Sequence, residues 1–153
     1  MENTSWIGRA GEETKRGNLE QHVPTGGIIR LMSLRKRVMK ALCDLATLTP
    51  HDREILGRVS AIIHDMLPTA RVLLYGSVAR GTHRPDSDYD VAVITPEPLP
   101  SSPRDKVWDA MFDAEMVFQV PLSVIFYSIA EWESPLRQVT PFYQEIERDA
   151  VLI

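Results

Sequence analysis

The sequence predicts a single α/β domain, because a segment with clear helical spacing is followed by short apolar runs typical of buried strands. The helical spacing extends over residues 50–66, after a Thr49 that can cap the helix. The apolar runs lie at residues 72–75 and 91–94. With 153 residues in total, the chain has the length of one domain with a sizeable core.

The first part of the chain differs in composition from the rest. Five of the eight glycines fall within residues 1–31, where no apolar periodicity is visible. We therefore expect residues 1–31 to form a flexible N-terminal tail and residues 32–153 to form the folded domain. Ser33 can cap an amphipathic helix that runs to about Leu45.

A proline-rich segment separates the second apolar run from the next predicted helix. Residues 95–102 contain closely spaced prolines and are expected to form a stiff loop. Ser102 and Pro103 then favour the start of a helix, as a cap and a first-turn proline. The buried stripe of this helix is predicted to consist of Val107, Trp108, Met111 and Phe112.

The C-terminal third is predicted to complete the sheet and its cover. Residues 117–127 have the apolar character of a strand, and Pro121 within them indicates an edge strand or a bulged one. Helical segments are predicted at residues 130–137 and 141–148. Residues 151–153 are expected to add a short final strand.

Between the two apolar runs lie groups suited to phosphate and cation binding. Gly76 has no Cβ, so an anionic ligand can approach its backbone closely. Ser77 adds a hydroxyl at the start of about one helical turn, where amide groups are free. Asp88 and Asp90 alternate along the next strand, so both carboxylates project to the same side. Two like charges beside a buried strand are costly unless a cation or hydrogen bonds offset them.

The spacing of these residues resembles that of a known family. Gly76-Ser77, ten intervening residues, and then Asp88 and Asp90 are similar to the motif of the minimal nucleotidyltransferases, in the DNA polymerase beta-like superfamily. The resemblance is strong over residues 71–94 and looser in the rest of the chain that follows. It implies a small mixed β-sheet with helices packed on one face, the catalytic core of that superfamily. Further matches to the motif are Arg80, Gly81 and Ser87.

The resemblance also implies a reaction. A nucleoside monophosphate, expected to be AMP from ATP, is transferred to a hydroxyl group and pyrophosphate is released. By this resemblance Asp88 and Asp90 are the catalytic residues and the ligands of one or two Mg²⁺ ions. Gly76 and Ser77 hold the triphosphate. Arg80 either pairs with a phosphate or is a structural partner of one of the aspartates.

One expected residue of the family is missing. A third carboxylate is usual on a later strand that lies next to the strand with the two aspartates. The matching segment, residues 120–125, contains neither Asp nor Glu, and Ser123 stands at the expected position. The nucleotide and one metal ion can still bind without it. We therefore leave open whether turnover is weak, depends on another residue or is absent.

Composition limits the partners and the compartment. The formal net charge of −4 argues against general affinity for nucleic acid. Cys43 is the single cysteine, so no intrachain disulfide can form and the chain suits a reducing cytosol. No apolar stretch approaches the length of a membrane span. We expect a cytoplasmic protein without a membrane partner.

Three alternatives remain for the acceptor of the nucleotide. The first is a partner protein, since several stand-alone members of the family resemble antitoxins that pair with a HEPN-domain toxin and modify it. The second is a small hydroxyl compound such as an antibiotic, bound by a homodimer of this chain. The third is no acceptor at all, in a nucleotide-binding partner module whose catalysis has weakened with the loss of the third carboxylate.

Overall fold

The structure is a computed structural model that describes residues 40–41 and 45–153. The predicted tail over residues 1–31 and the predicted capping residue Ser33 lie outside the described residues. The boundary proposed between residues 31 and 32 lies outside them as well.

In the part of the chain that the structure describes, five strands form one mixed sheet. β2 and β3 are antiparallel, β3 and β4 are parallel, and β5 pairs antiparallel with β2 and parallel with β1. The spatial order is β1-β5-β2-β3-β4, so β4 is an edge strand. The strands are β1 (Lys40–Ala41), β2 (Arg71–Tyr75), β3 (Tyr89–Thr95), β4 (Leu122–Ser128) and β5 (Val151–Leu152).

Helices connect and cover these strands. The two long ones are α1 (Pro50–Met66) and α3 (Ser101–Phe118), and the shorter ones are α2 (Gly76–Arg80), α4 (Ile129–Trp132), α5 (Pro135–Gln138) and α6 (Pro141–Asp149). The start of α1 has the predicted form. Thr49 caps it, Pro50 lies in the first turn, and the Asp52 side chain accepts a hydrogen bond from the Thr49 backbone amide.

Helices pack on both faces of the sheet, and side chains that alternate along the central strands define two cores. Val91 and Val93 face α1 and α3, whereas Ala92 and Ile94 face α4 and α6. The predicted mixed sheet is confirmed, and the two long helices share one face as expected. The C-terminal helices cover the second face, because the central strand is apolar on both sides and both must be shielded from water.

Near the N-terminal edge, a predicted helix differs from the structure. The expected helix up to Leu45 includes Lys40–Ala41, which instead form β1 and pair with Val151–Leu152 of β5. The pairing satisfies backbone groups at the sheet edge, and such a tertiary contact can outweigh a local amphipathic pattern. Leu45 itself is buried in the core beneath α1 and α3.

The α3–β4 region differs from the prediction in its boundary. The sequence predicts a strand over residues 117–127, but α3 continues to Phe118 and β4 begins at Leu122. Gln119 ends the helix in the left-handed conformation, with φ of 55°. Periodicity cannot assign a short apolar run at a helix end to helix or strand, and here the run completes the last helical turn.

The buried stripe of α3 is narrower than predicted. Val107 and Met111 are buried as expected, and Ala114 joins them. Trp108 and Phe112 are instead 47% and 61% exposed. Both lie about 100° around the helix from the buried row, at the margin of its contact with the sheet. Trp108 still reaches β4, where its indole donates a hydrogen bond to the Val124 carbonyl.

The region after β4 contains two short helices where one was predicted over residues 130–137. Ser128 caps α4, and Ser134 with Pro135 opens α5, so a second start signal interrupts the segment. Within residues 40–41 and 45–153, no helix is long and apolar enough to cross a membrane.

Candidate active site

A glycine turn joins β2 to α2. Gly76 follows the last residue of β2 and has φ of 74°, a conformation that side-chain-bearing residues rarely adopt. α2 makes little more than one turn, and Gly81 ends it in the left-handed conformation with φ of 69°. The strand, the short helix and the glycine that stops it are as the sequence predicts.

All the predicted site residues lie together at one end of the sheet. They line a cleft of about 440 Å³, beside the end of β2 and the start of β3. Besides the five predicted residues, three others contribute to the lining, and one of them comes from α6. The complete lining is Tyr75, Gly76, Ser77, Arg80, Ser87, Asp88, Asp90 and Glu145.

Gly76 and Asp90 make the closest approach in the cleft. A Cβ added to Gly76 would overlap the Asp90 carboxylate, with Asp90 Oδ2 as its nearest atom. Only glycine therefore allows β2 and β3 to hold the carboxylate against the backbone of the turn. The glycine thus serves two purposes here, since it supplies the positive φ and makes room for the Asp90 carboxylate.

The two aspartates share the cleft but not the same exposure. Asp88 is exposed and directly precedes β3, which begins one residue later than predicted. Asp90 is half-buried. Burial raises its pKa first of all, and the neighbouring Asp88 charge raises it further. Arg80 opposes this effect, whereas Glu145 adds to it. The carboxylate of Asp90 therefore lacks full compensation for its charge.

Tyr75, Asp90 and Ser123 form a row across three strands. Asp90 is the register partner of Tyr75 on β2 and of Ser123 on β4. Burial, together with the Asp90 charge, raises the pKa of Tyr75 to about 12, while a hydrogen bond with Ser123 acts in the opposite direction. Ser123 therefore occupies the place beside Asp90 where the family resemblance leads one to expect a third carboxylate.

Arg80 donates a hydrogen bond to α6, and it acts on Asp90 through its charge. Its Nη1 donates to Glu145 Oε1 at 2.7 Å and lies 3.8 Å from Asp149 Oδ2. The sequence predicts that Arg80 pairs either with a phosphate or with one of the two motif aspartates. In the structure, the carboxylates that contact Arg80 come from α6. Glu145 lies 65 residues beyond Arg80, and no sequence motif marks it. Only the fold brings it to the cleft.

The opposite side of β3 is fixed by a buried carboxylate. Tyr89, between the two aspartates, donates its hydroxyl hydrogen to Asp52 on α1. His83 Nε2 lies 3.6 Å from the same carboxylate, and Thr49 donates to it from its backbone and its hydroxyl. Burial works against ionisation of Asp52, but the hydrogen bonds from Tyr89 and Thr49 and the proximity of His83 lower its pKa overall. The motif loop is therefore tied to the first helix.

The donor set of the cleft suits a divalent cation with oxygen ligands. Asp88 and Asp90 supply two carboxylates, and the raised pKa of Asp90 reflects a charge that a cation would offset. No group of three or more Asp, Glu, His or Cys residues able to hold a metal occurs in the described part of the chain. Mg²⁺ typically binds through one or two carboxylates and takes its other ligands from water and substrate phosphates. The residues present fit that mode.

Comparisons with known proteins agree on the type of domain. A family model described as "Nucleotidyltransferase domain" matches residues 56–151. The probable protein adenylyltransferase MntA of Haemophilus influenzae is 28% identical over 95 residues, which cover 62% of this chain and 83% of that protein.

Two solved structures are similar at low sequence identity. A toxin-antitoxin with AMP-PNP aligns with a TM-score of 0.45 and 17% identity, over 63% of this chain and 69% of that chain. A mutant of the toxin-antitoxin MntA-HpeT aligns with the same TM-score and identity, over 64% and 70%.

Proposed function

Because this chain belongs to the nucleotidyltransferase domain family, we propose that it transfers AMP from ATP to a hydroxyl group on a partner protein. The observation that carries the proposal is the common cleft of Gly76, Ser77, Asp88 and Asp90. A glycine turn open to phosphates and a pair of carboxylates that can hold a cation are the two parts that nucleotidyl transfer requires.

The charge of the cleft makes nucleotide binding dependent on a cation. Three carboxylates and one guanidinium line it, so its formal charge opposes an anionic triphosphate. Asp88 and Asp90 would hold Mg²⁺, which neutralises the leaving pyrophosphate and the charge that spreads over the reacting phosphate. We therefore expect ATP to bind tightly only together with the divalent ion.

The chain's own residues position the nucleotide. Gly76 allows a phosphate to approach the backbone, and the Ser77 hydroxyl can donate a hydrogen bond to it. The guanidinium of Arg80 can pair with a phosphate oxygen in a charge-assisted hydrogen bond. Because the reaction is an in-line displacement at phosphorus, such positioning provides much of the rate acceleration.

A protein acceptor is favoured by the relative's activity. The Haemophilus influenzae relative is described as a probable protein adenylyltransferase, and this chain covers most of its length. We propose a toxin as the partner, of the HEPN class that the family resemblance implies, with this chain as its antitoxin. A small-molecule acceptor such as an antibiotic is the alternative.

A second candidate function is supported by Ser123. A hydroxyl replaces a carboxylate beside Asp90, and loss of one acidic group can weaken turnover without abolishing nucleotide binding. In this alternative the chain is a nucleotide-binding module that regulates a partner by association alone.

The test is transfer of label from ATP. The purified chain is incubated with Mg²⁺ and ATP labelled at the α-phosphate, with and without the protein encoded beside it, and label on protein is measured. The control is Asp88→Asn with Asp90→Asn in the same chain. Label on the partner that requires both aspartates supports the proposal. Metal-dependent ATP binding without label on any acceptor would favour the binding module instead.

A further inference from the structure

One carboxylate in the cleft comes from α6 and is not part of the nucleotidyltransferase motif. Glu145 lines the cleft together with Gly76, Ser77 and Asp90. Its side chain is 48% exposed, and its Oε1 accepts a hydrogen bond from Arg80. Its hydrogen bond with Arg80 links α6 to α2 and holds a third carboxylate at the edge of a cleft that already contains two.

The reaction requires a proton acceptor, because a hydroxyl that attacks phosphorus must lose its proton. Among the eight residues lining the cleft, Asp88 and Asp90 are needed for the cation. Ser77 and Ser87 are neutral hydroxyls, and Tyr75, with a pKa near 12, is also protonated at neutral pH. Glu145 is then the remaining carboxylate of this lining.

We propose that Glu145 accepts the proton of the attacking hydroxyl, and that Arg80 restrains it until a nucleotide phosphate takes over the guanidinium. This inference rests on the proposed transfer reaction and adds a residue from outside the motif. It also compensates for the carboxylate that is missing at Ser123, with a group supplied by α6 and not by β4.

The surroundings of Glu145 support such an exchange. Arg80 is in contact with Glu145 at 2.7 Å and lies 3.8 Å from Asp149, so α6 holds the guanidinium at the edge of the cleft. A nucleoside triphosphate as a whole bears more negative charge than the two carboxylates together, and its phosphate oxygens match the guanidinium geometry. When Arg80 turns to the phosphate, Glu145 loses its cationic partner, and its carboxylate is free to accept a hydrogen bond from the attacking hydroxyl.

The transfer step balances in atoms and charge. The hydroxyl oxygen of the acceptor forms a bond to the α-phosphorus, and the bond from that phosphorus to the bridging oxygen of pyrophosphate breaks. The electron pair leaves with pyrophosphate, and the hydroxyl proton moves to Glu145. In this sequence of events the nucleotide binds Arg80 first, and Glu145 accepts the proton afterwards. Proton transfer before nucleotide binding is thereby prevented.

The test separates binding from turnover in the full chain. Glu145→Gln keeps the size of the side chain and a hydrogen-bond acceptor for Arg80 but cannot take the proton. Two measurements are made: the dissociation constant of MgATP by calorimetry, and the rate of AMP transfer at saturating MgATP. The matched control is Glu147→Gln, since Glu147 is also on α6 but accepts a hydrogen bond from Trp132 and does not line the cleft.

We expect Glu145→Gln to bind MgATP about tenfold more tightly, because a negative charge leaves the cleft and a neutral amide holds Arg80 less strongly than a carboxylate does. We expect its transfer rate to fall by about 10²–10⁴-fold, the usual contribution of a positioned base. Glu145→Asp should recover part of the rate. Glu147→Gln should match the wild type in both measurements.

Two outcomes would overturn the inference. An unchanged transfer rate in Glu145→Gln would exclude proton transfer to this residue. Weaker MgATP binding would mean that Glu145 holds Arg80 in the position that binds the nucleotide, which contradicts the exchange. If the wild type transfers no AMP to any acceptor, the proposed function itself fails, and with it the proton acceptor. The MgATP dissociation constant still tests whether Arg80 moves from Glu145 to a phosphate. An unchanged dissociation constant in Glu145→Gln would contradict that movement.

Discussion

Ser123 and Asp90 are direct neighbours across the parallel strands β3 and β4, and both side chains share the face that carries the cleft. This relationship decides how an added carboxylate would act. An acidic residue at position 123 would stand beside Asp90 on a rigid part of the sheet, where its direction is set by the strand register.

Ser123→Asp should therefore strengthen cation binding. We expect about a tenfold gain in Mn²⁺ affinity, because a third carboxylate joins Asp88 and Asp90. The metal-free protein should become less stable, since another negative charge faces Asp90. Mn²⁺ titration and urea unfolding measure the two effects. Ser123→Asn introduces a side chain with nearly the shape of Asp but without its charge, and it should show no gain in Mn²⁺ affinity. An equal gain in this variant would contradict an effect of the added carboxylate charge.

Removal of the paired charges should have the opposite effect. In Asp88→Asn with Asp90→Asn, metal-dependent binding of ATP should be lost, while the metal-free protein should be as stable as the wild type or more so. The pKa of Asp90 is raised, so its charge costs stability as the pH rises from its ordinary value of 3.8 through the raised value. The stability difference between the wild type and the variant should grow over that range. A large loss of stability in the variant at neutral pH would indicate a structural role for the pair.

Asp52 should show the reverse dependence on pH. Because its pKa is lowered in the folded protein, it adds stability above its ordinary value of 3.8, and this contribution is lost as the pH falls through the lowered value. Asp52→Ala removes a helix capping partner and leaves the Tyr89 hydroxyl without its acceptor. We expect a loss of about 2–3 kcal/mol in the free energy of unfolding at pH 7. Tyr89→Phe, which keeps the cap, should lose less, and an equal loss would argue against the capping contribution.

Gly81 and Gly57 offer a matched pair of glycine substitutions. A Cβ at Gly81 would lie 2.5 Å from Thr47 Oγ1, and its φ of 69° is unfavourable for alanine. Gly81→Ala should destabilise the protein by about 1–2 kcal/mol or more. Gly57 lies inside α1 with nothing within 4 Å of an added Cβ, so Gly57→Ala should stabilise it by about 0.5–1 kcal/mol. Thermal unfolding of both variants tests the signs, and a stable Gly81→Ala would mean that Thr47 moves away at little cost.

The part of the site that could be predicted from the sequence is the part that is local in the chain. Gly76 and Ser77 follow one buried strand and Asp90 lies on the next, so strand alternation and turn chemistry are enough to group them. Glu145 could not be found in this way. Its place in the cleft depends on the packing of α6 against the sheet, for which a single sequence contains no local signal.

The errors in the fold have a similar origin. Lys40–Ala41 have a helical pattern around them, but their pairing with β5 is a long-range contact. Helical spacing at Trp108 and Phe112 indicates only that they lie near the buried row, and the width of the contact with the sheet leaves them exposed. Local patterns therefore identify the elements, whereas their ends and contact faces depend on their neighbours.

The alternation along β3 also affects how the chain can misfold. A shift of β3 by one residue would turn Asp90 into the apolar layer under α1 and α3, and would leave Tyr89 in the cleft without Asp52. Burial of an unpaired carboxylate costs several kcal/mol, so the shifted pairing is disfavoured well before any substrate is present. Asp90, which we expect to bind the cation, therefore also disfavours a shifted strand register during folding.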